Sequence, residues 1–300
     1  MKILVTGGTV FVSRAMAEYF VAEGHEVCVL NRGSRAQSEG VRHLCHDRRE
    51  TGLDLRNEHF EAVVDVTAYT ARDVDVLLDA VGDVPHSILI SSSAVYPETL
   101  PQPFREDMPV GPNIHWGAYG TDKIAAEQHL LGRCPQAWII RPPYLYGPGN
   151  EVYREAFVFE CAEAERPFCL PGDGSMLLQF FHVRDLCRLT ERILAEKPTQ
   201  RVLNCGNPEP VSVREWVDMC YAAAGKKPRF VSVDGSVPQR SYFPFLNYAY
   251  ELDIGAQKSL LPEVTPLADG LRESYAWFRE NRGLIRRKPL MKFIDETLSK

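Results

Sequence analysis

The chain alternates between short apolar runs and longer stretches whose apolar residues recur at helical spacing. Ile3–Val5 is a run of the kind that forms a strand buried on both faces. After the glycines at 7 and 8, the positions Phe11, Ala15, Ala17, Tyr19, Phe20 and Val21 predict a helix with a broad apolar face. Gly24 stops that helix, and Glu26–Leu30 reads as a second strand. Ala62–Val66, Ser87–Ser91 and Ala137–Ile140 are three further strand-like runs, with helical patterns over 71–81 and 121–131 between them. Strands alternating with helices at this spacing predict an α/β fold, a doubly wound parallel sheet with helices on both faces. In such sheets ligands bind beyond the carboxyl ends of the strands.

The second half is less regular. A helix is expected over Tyr153–Glu165, a turn at Pro171–Gly174, and a strand at Val202–Asn204 returning to the main sheet before the turn Gly206-Asn207-Pro208. Residues 212–224 predict a helix with Ser212 as its N-cap. The expected organisation is a Rossmann-like nucleotide-binding domain over 1–150 plus about 182–207. A smaller C-terminal substrate-binding lobe covers 151–181 plus 208–283, and a basic tail covers 284–300.

The candidate chemistry gathers at the strand ends. Gly7 and Gly8 sit inside a βαβ unit of about 30 residues, the setting in which a glycine turn binds a dinucleotide pyrophosphate at a helix N-terminus. Val10 and Ser13 stand where the full fingerprint would carry glycines. Ser13 is small enough to substitute, while the Cβ of Val10 would crowd the phosphates. The second strand ends in Asn31-Arg32 rather than in the carboxylate that grips a ribose 2′-hydroxyl. With Arg14 and Arg35 nearby, that favours NADP over NAD, since guanidinium recognises phosphate bidentately. Further polar clusters fall at Asp47, Thr67–Tyr69, Ser91–Ser93 and Arg141. Tyr119 and Lys123 lie four apart in a predicted helix, so both face one side. An ammonium beside a phenol favours phenolate and tunes the tyrosine for general acid/base work.

Together TGGTVFV, ISSSAVY, Y-x-x-x-K, RPPYLYGPG and FHVRDL resemble the extended or atypical short-chain dehydrogenase/reductases, the NAD(P)-dependent epimerase/dehydratase proteins, over residues 1 to about 277. The resemblance implies that Ser92, Tyr119 and Lys123 are catalytic. Ser92 would hydrogen-bond the reacting oxygen, Tyr119 would pass the proton, and Lys123 would bind the nicotinamide ribose and lower the tyrosine pKa. It implies cofactor contacts from Gly7, Gly8, Thr9, Phe11, Val12, Arg14, Asn31, Arg32, Asp47, Thr67, Ala68, Tyr69, Ser91, Pro142 and Tyr144, as well as from Tyr119 and Lys123. Substrate contacts are expected from Ser93, Tyr96 and Arg240, and His182 and Asp185 are expected to be scaffold. Members that dehydrate sugars carry an Asp-Glu pair where Ser93 and Ala94 stand, so 4,6-dehydration is not expected. The expectation is an epimerase or reductase acting on a nucleotide sugar or a similar hydroxyl or keto compound. The alternatives are a non-catalytic NAD(P)-binding sensor and an RNA-binding atypical member. The family often dimerises through helices, which makes Ala125, Ala126 and Leu130 candidate contacts in a homodimer.

Composition adds limits. Hydrophobic residues make up 45% and charged ones 25%, close to globular averages. No apolar run approaches the roughly 18 residues of a membrane span, and the start does not read as a signal peptide, so a cytoplasmic protein is expected. Eight cysteines without a C-x-x-C pair predict reduced thiols and no metal site. The stretch 279–292 holds six basic residues and one Glu, but the formal net charge is −6, so nucleic acid is not an expected partner.

Overall fold

The computed structural model describes residues 1–50 and 52–298. Two compact units emerge. Unit 1 comprises Met1–Pro143, Val183–Gly206 and Leu252–Val264; unit 2 comprises Tyr144–His182, Asn207–Glu251 and Thr265–Lys300.

In unit 1 the chain runs β1 (Lys2–Thr6), α1 (Phe11–Ala22), β2 (Glu26–Asn31), β3 (Arg42–Cys45), β4 (Ala62–Asp65), α2 (Ala71–Val81), β5 (His86–Ile90), α3 (Ala118–Arg133) and β6 (Trp138–Arg141). In unit 2 there follow β7 (Tyr144–Tyr146), α4 (Glu155–Glu163), β8 (Phe168–Pro171), β9 (Leu177–Leu178) and β10 (Phe180–His182). Unit 1 resumes with α5 (Val183–Glu196) and β11 (Val202–Asn204), and unit 2 with β12 (Val211–Ser212), α6 (Val213–Ala223) and β13 (Phe230–Val233). The remaining helices are α7 (Gly255–Leu260) in unit 1, then α8 (Leu267–Glu280) and α9 (Leu290–Phe293) in unit 2.

The main sheet of unit 1 has seven parallel strands in the order β11-β6-β5-β4-β1-β2-β3. The predicted doubly wound sheet is therefore present. β11 returns to β6 as expected, and β3, whose sequence RHLC carries no apolar run, extends the sheet by one strand that the hydrophobic pattern did not show. Chain order reverses between β1 and β4, which opens a crevice at their carboxyl ends. Ile3, Leu4 and Val5 are fully buried, as strands covered on both faces must be. Met16, Ala17 and Phe20 form the buried stripe of α1. Between the sheet and the α2–α3 pair, Val74, Leu78, Ala126 and Leu130 pack with Leu89 and Ile139. Ala126 and Leu130, candidates for a dimer contact, are thus core residues of the single chain; burial against β5 and β6 takes the face that a partner would need.

Unit 2 is built from three two-stranded ladders, β7–β10, β8–β13 and β9–β12, with α4, α6 and α8 packed together. Its core is aromatic: Phe180 stacks on Trp216 at 5.6 Å, and Phe245 meets Trp216 edge-on at 5.0 Å. Ser212 caps α6 in a reciprocal capping box with Glu215, as its sequence predicted.

Candidate active site

The crevice holds a cavity of about 380 Å³ whose lining includes Gly7, Thr9, Val10, Asn31, Arg32, Arg35, Asp47, Arg48, Thr67 and Tyr69. Gly7 has φ +92°, and a Cβ there would meet Ser13 Oγ at 2.7 Å, so only glycine fits the turn. Val10 is extended (φ −136°, ψ 132°), a conformation open to any residue, and the positive φ (+38°) falls on Phe11 instead. The missing glycine at 10 therefore does not distort the backbone, although the Val10 side chain faces the cavity. Ser13 clips the turn by donating to the Val10 carbonyl at 3.1 Å. α1 has no side-chain N-cap and no acid in its first turn, which leaves backbone N–H groups and the positive dipole end for an anion. A glycine cradle, a helix N-terminus without a side-chain cap and a crevice at the strand switch fit a dinucleotide, which when bound supplies hydride chemistry at its nicotinamide. Gly7, Gly8, Thr9 and Val12 surround that helix start.

At the β2 end of the crevice, Asn31 donates to the Gly7 carbonyl at 2.6 Å and accepts from the Gly33 N–H at 2.9 Å, locking the ends of β1 and β2 together. Arg32 is largely exposed, 3.8 Å from Asp47. Arg14 does not reach toward phosphate; its Nε donates to Glu18 at 2.7 Å, one helical turn on. Below them lies a network that the sequence reading missed. Arg48 forks onto both oxygens of Asp65 at 2.8 Å and reaches Thr67 Oγ1 at 3.1 Å. Asp65 also accepts from Thr6 Oγ1 at 2.7 Å and from the Ala68 N–H at 3.0 Å. Burial pushes the Asp65 carboxyl up, but Arg48 and these donors prevail and hold it below the usual carboxylate range. Asp73 accepts the N–H groups of Tyr69 and Thr70 at 3.0 Å and pairs with Arg49. The network fixes the 67–70 turn along one wall of the crevice. The signal for it was a charged residue ending the buried run AVVD.

Lys123, 2% exposed, donates to the carbonyls of Ala68 (2.7 Å) and Ile90 (2.9 Å), at the ends of the 62–68 and 86–90 segments. Its Nζ lies 5.1 Å from the Tyr69 ring centroid. Burial lowers its pKa to about 8, against the opposing pull of Asp65 and Glu127. Tyr119, one turn earlier on α3, is 39% exposed and lies between the rings of Tyr69 (6.4 Å) and Trp116 (6.1 Å). Its neighbour Gly120 packs against the turn 93–95; a Cβ there would meet the Ala94 carbonyl at 2.5 Å. That close approach brings the Tyr119 end of α3 against the turn that Ser92 opens, where Ser92 Oγ accepts from the Ala94 N–H at 3.2 Å.

A profile of the NAD dependent epimerase/dehydratase family matches residues 3–89 and 57–206, well over half of the chain. The chain belongs to that family. As a member of the epimerase/dehydratase family it is an enzyme of the epimerase or reductase type. Among its relatives, the chloroplast stem-loop binding protein of 41 kDa b from Arabidopsis thaliana is 28% identical over all of this chain and 84% of its own length. The dTDP-4-dehydro-6-deoxy-D-allose reductase of Streptomyces bikiniensis is 26% identical, with coverage of 93% and 96%. UDP-glucuronic acid 4-epimerase from Bacillus cereus, solved in complex with NAD, shares the fold with a TM-score of 0.74 at 19% identity, covering 93% of this chain and 99% of that one.

Several residues assigned from the family resemblance are engaged within the protein itself. Tyr96, expected at the substrate, is fully buried; its hydroxyl donates to Asn204 (2.8 Å) and accepts from Arg141 (2.8 Å), and its ring stacks on Phe104. Ser91 engages Glu127 with its hydroxyl, and Glu127 pairs with Arg141 at 2.6 Å, so Ser91 has only its main chain for a cofactor. Ser93 is buried as well, and its N–H donates to the Pro142 carbonyl at 3.0 Å. In unit 2, Tyr144 is a core aromatic, 4.6 Å from Phe245 and under the guanidinium of Arg154. Arg240 donates to the Pro244 carbonyl. His182 and Asp185 are buried, consistent with scaffold. Three arginines of the basic 279–292 stretch are paired with carboxylates: Arg282 with Glu163, Arg286 with Glu151 at 3.7 Å, and Arg287 with Glu160 at 2.7 Å. No group of three or more His, Cys, Asp or Glu placed to hold a metal occurs among the described residues. No described helix is long and apolar enough to cross a membrane.

Proposed function

We propose that the protein oxidises or reduces a carbinol carbon of a nucleotide sugar, as an epimerase or a ketone reductase, through Ser92, Tyr119 and Lys123. The observation that carries this reading is the anchoring of Lys123 on the Ala68 and Ile90 carbonyls, which fixes an ammonium at the sheet's carboxyl edge one helical turn from the exposed Tyr119. In this reading Tyr119 gives or takes the hydroxyl proton of the substrate, Ser92 hydrogen-bonds the same oxygen, and Lys123 stabilises the phenolate. Nicotinamide, when bound, takes or delivers the hydride. The nucleotide-sugar class follows relatives such as the allose reductase. NADP is favoured over NAD because Asn31, Arg32, Ser34 and Arg35 line the cavity where a ribose-gripping carboxylate would stand. An RNA-binding role has less support, since the tail arginines that would contact phosphates are paired with carboxylates.

The test is calorimetric titration of NAD and NADP into wild type and Tyr119→Phe, followed by turnover with UDP- and dTDP-linked keto sugars. Micromolar cofactor binding in both proteins is expected, with turnover in the variant down by on the order of 10²–10⁴. Absence of binding at millimolar cofactor sinks the reading.

A further inference from the structure

Among the described residues seven large hydrophobic side chains are exposed, and three of them bear on the start of α3. Tyr119 is on its first turn, Tyr69 lies against Tyr119, and Ile114, 80% exposed, belongs to the turn 113–117 that leads into the helix. That turn also carries Trp116, which is half-buried and whose ring lies 6.1 Å from that of Tyr119.

The turn is fixed by its backbone rather than by packing of Ile114 or Trp116. Asn113 is buried, and its side-chain N–H donates to the Tyr96 carbonyl at 2.9 Å. Its Oδ1 accepts from the His115 N–H at 2.9 Å, and its carbonyl accepts from the N–H groups of Trp116 (3.2 Å) and Gly117 (2.9 Å). Glu98 accepts from the Ile114 N–H at 3.1 Å. A rigid turn thus presents apolar surface beside the phenol. On its other neighbour the phenol meets Tyr69, which lines the crevice cavity, whereas Trp116 does not line it. Apolar and aromatic surface around a few polar groups is the usual make-up of a small-molecule site. A pyranose ring matches this arrangement. Its hydroxyl edge suits Tyr119 and Ser92, and its C–H face suits an aromatic ring, whose face is the negative side of its quadrupole.

We propose that Trp116 holds the apolar face of the substrate's sugar ring beside Tyr119 and is a specificity-determining residue for a cyclic sugar. The inference rests on the function proposed above and adds to it the residue that recognises the ring. Asn113 then acts through Trp116, as the buried anchor that sets the indole beside the phenol.

The experiment titrates UDP, UDP-glucose and UDP-galactose by calorimetry into the full-length protein in excess NAD and NADP. It compares wild type with Trp116→Ala, Trp116→Phe and the control Trp277→Phe, whose tryptophan is also half-buried, with thermal unfolding as a check on folding. The ratio of the UDP and sugar-nucleotide dissociation constants isolates what the sugar adds. In Trp116→Ala that ratio is expected to shift about tenfold against the sugar nucleotide, the scale of one partly buried apolar contact. Trp116→Phe, which keeps an aromatic face, is expected to retain most of it, and UDP binding and the control are expected to stay unchanged. An unchanged ratio in Trp116→Ala overturns the assignment and leaves the Tyr119 chemistry standing. Equal loss for UDP and for the sugar nucleotides makes Trp116 structural and overturns it as well. No binding of either sugar nucleotide at millimolar concentration overturns it together with the substrate class. The proposed oxidoreductase chemistry fails separately, on absent cofactor binding or on turnover that survives Tyr119→Phe.

Discussion

Arg48 and Asp65 show how much one pair of residues can decide. Removing a single partner of a buried ion pair leaves an uncompensated charge, at a cost of roughly 3–5 kcal/mol. Arg48→Met is therefore expected to lose stability on that scale in urea unfolding at pH 7. The pH dependence has a definite sign. Asp65 is held below its usual range in the folded protein, so its contribution is present above the ordinary carboxylate pKa and is lost as pH falls through the lowered value. Without Arg48 the buried carboxyl titrates upward instead, so the gap between variant and wild type is expected to narrow at pH 5; a gap that widens there contradicts the role given to Arg48. Lys123 has the opposite sense. Its folded pKa is lowered to about 8, so the ammonium, which in the proposed relay stabilises a Tyr119 phenolate, is present below that value. Its buried charge opposes folding below about pH 8, and that opposition fades as pH rises toward the ordinary lysine pKa. Turnover that depends on the ammonium is expected to fall in the kcat/KM profile as pH rises through about 8. A profile flat from pH 7 to 9 would remove Lys123 from the proton relay.

Among the elements, α3 sets the geometry of the site because it carries Tyr119 and Lys123 and touches the Ser92 turn through Gly120. A methyl group at 120 cannot fit 2.5 Å from a backbone oxygen, so Gly120→Ala moves the helix start. Misplacing reacting groups by about 1 Å costs on the order of 10²-fold in rate. Gly120→Ala is expected to lower kcat by that order while NAD(P) binding, which the proposed site places mainly at α1 and β2, changes little. Equal loss of both would mean that the helix governs cofactor binding rather than proton transfer. The hydrophobic pattern located α3 and the Tyr-Lys spacing within it, because a 3.6-residue period is a local property of sequence. It did not show Gly120 as the contact point, since the oxygen that excludes a Cβ belongs to a residue 26 positions away.

The charge of the whole molecule bears on partners. The net charge is −6, and in the 279–292 stretch, which in isolation has the composition of a nucleic-acid-binding tail, half of the basic residues pair with Glu151, Glu160 and Glu163. Phosphate binding by a protein scales with the unpaired cations it offers, and these ion pairs engage three of the six cations of that stretch. A stem-loop RNA is therefore expected not to be retained by micromolar protein in a gel-shift titration at about 0.15 M salt, where charges more than about 8 Å apart are screened. Tight, salt-dependent retention would restore the RNA reading, for which the full-length similarity to a chloroplast stem-loop binding protein is the motive.

What the sequence determined by itself was the parallel sheet, the glycine turn at its switch point, the helix capped by Ser212 and the Tyr119–Lys123 spacing. Each depends on residues close together in the chain, where periodicity and steric preference act directly. Only the tertiary structure decided which polar groups face the crevice. Ser91 and Tyr96 share a strand end with Ser92, yet they turn inward to Glu127 and Asn204. Arg48 finds Asp65 across 17 positions, and Arg287 finds Glu160 across 127. A charge does not announce its partner in the sequence; the fold brings the two together, and burial then makes the pairing obligatory.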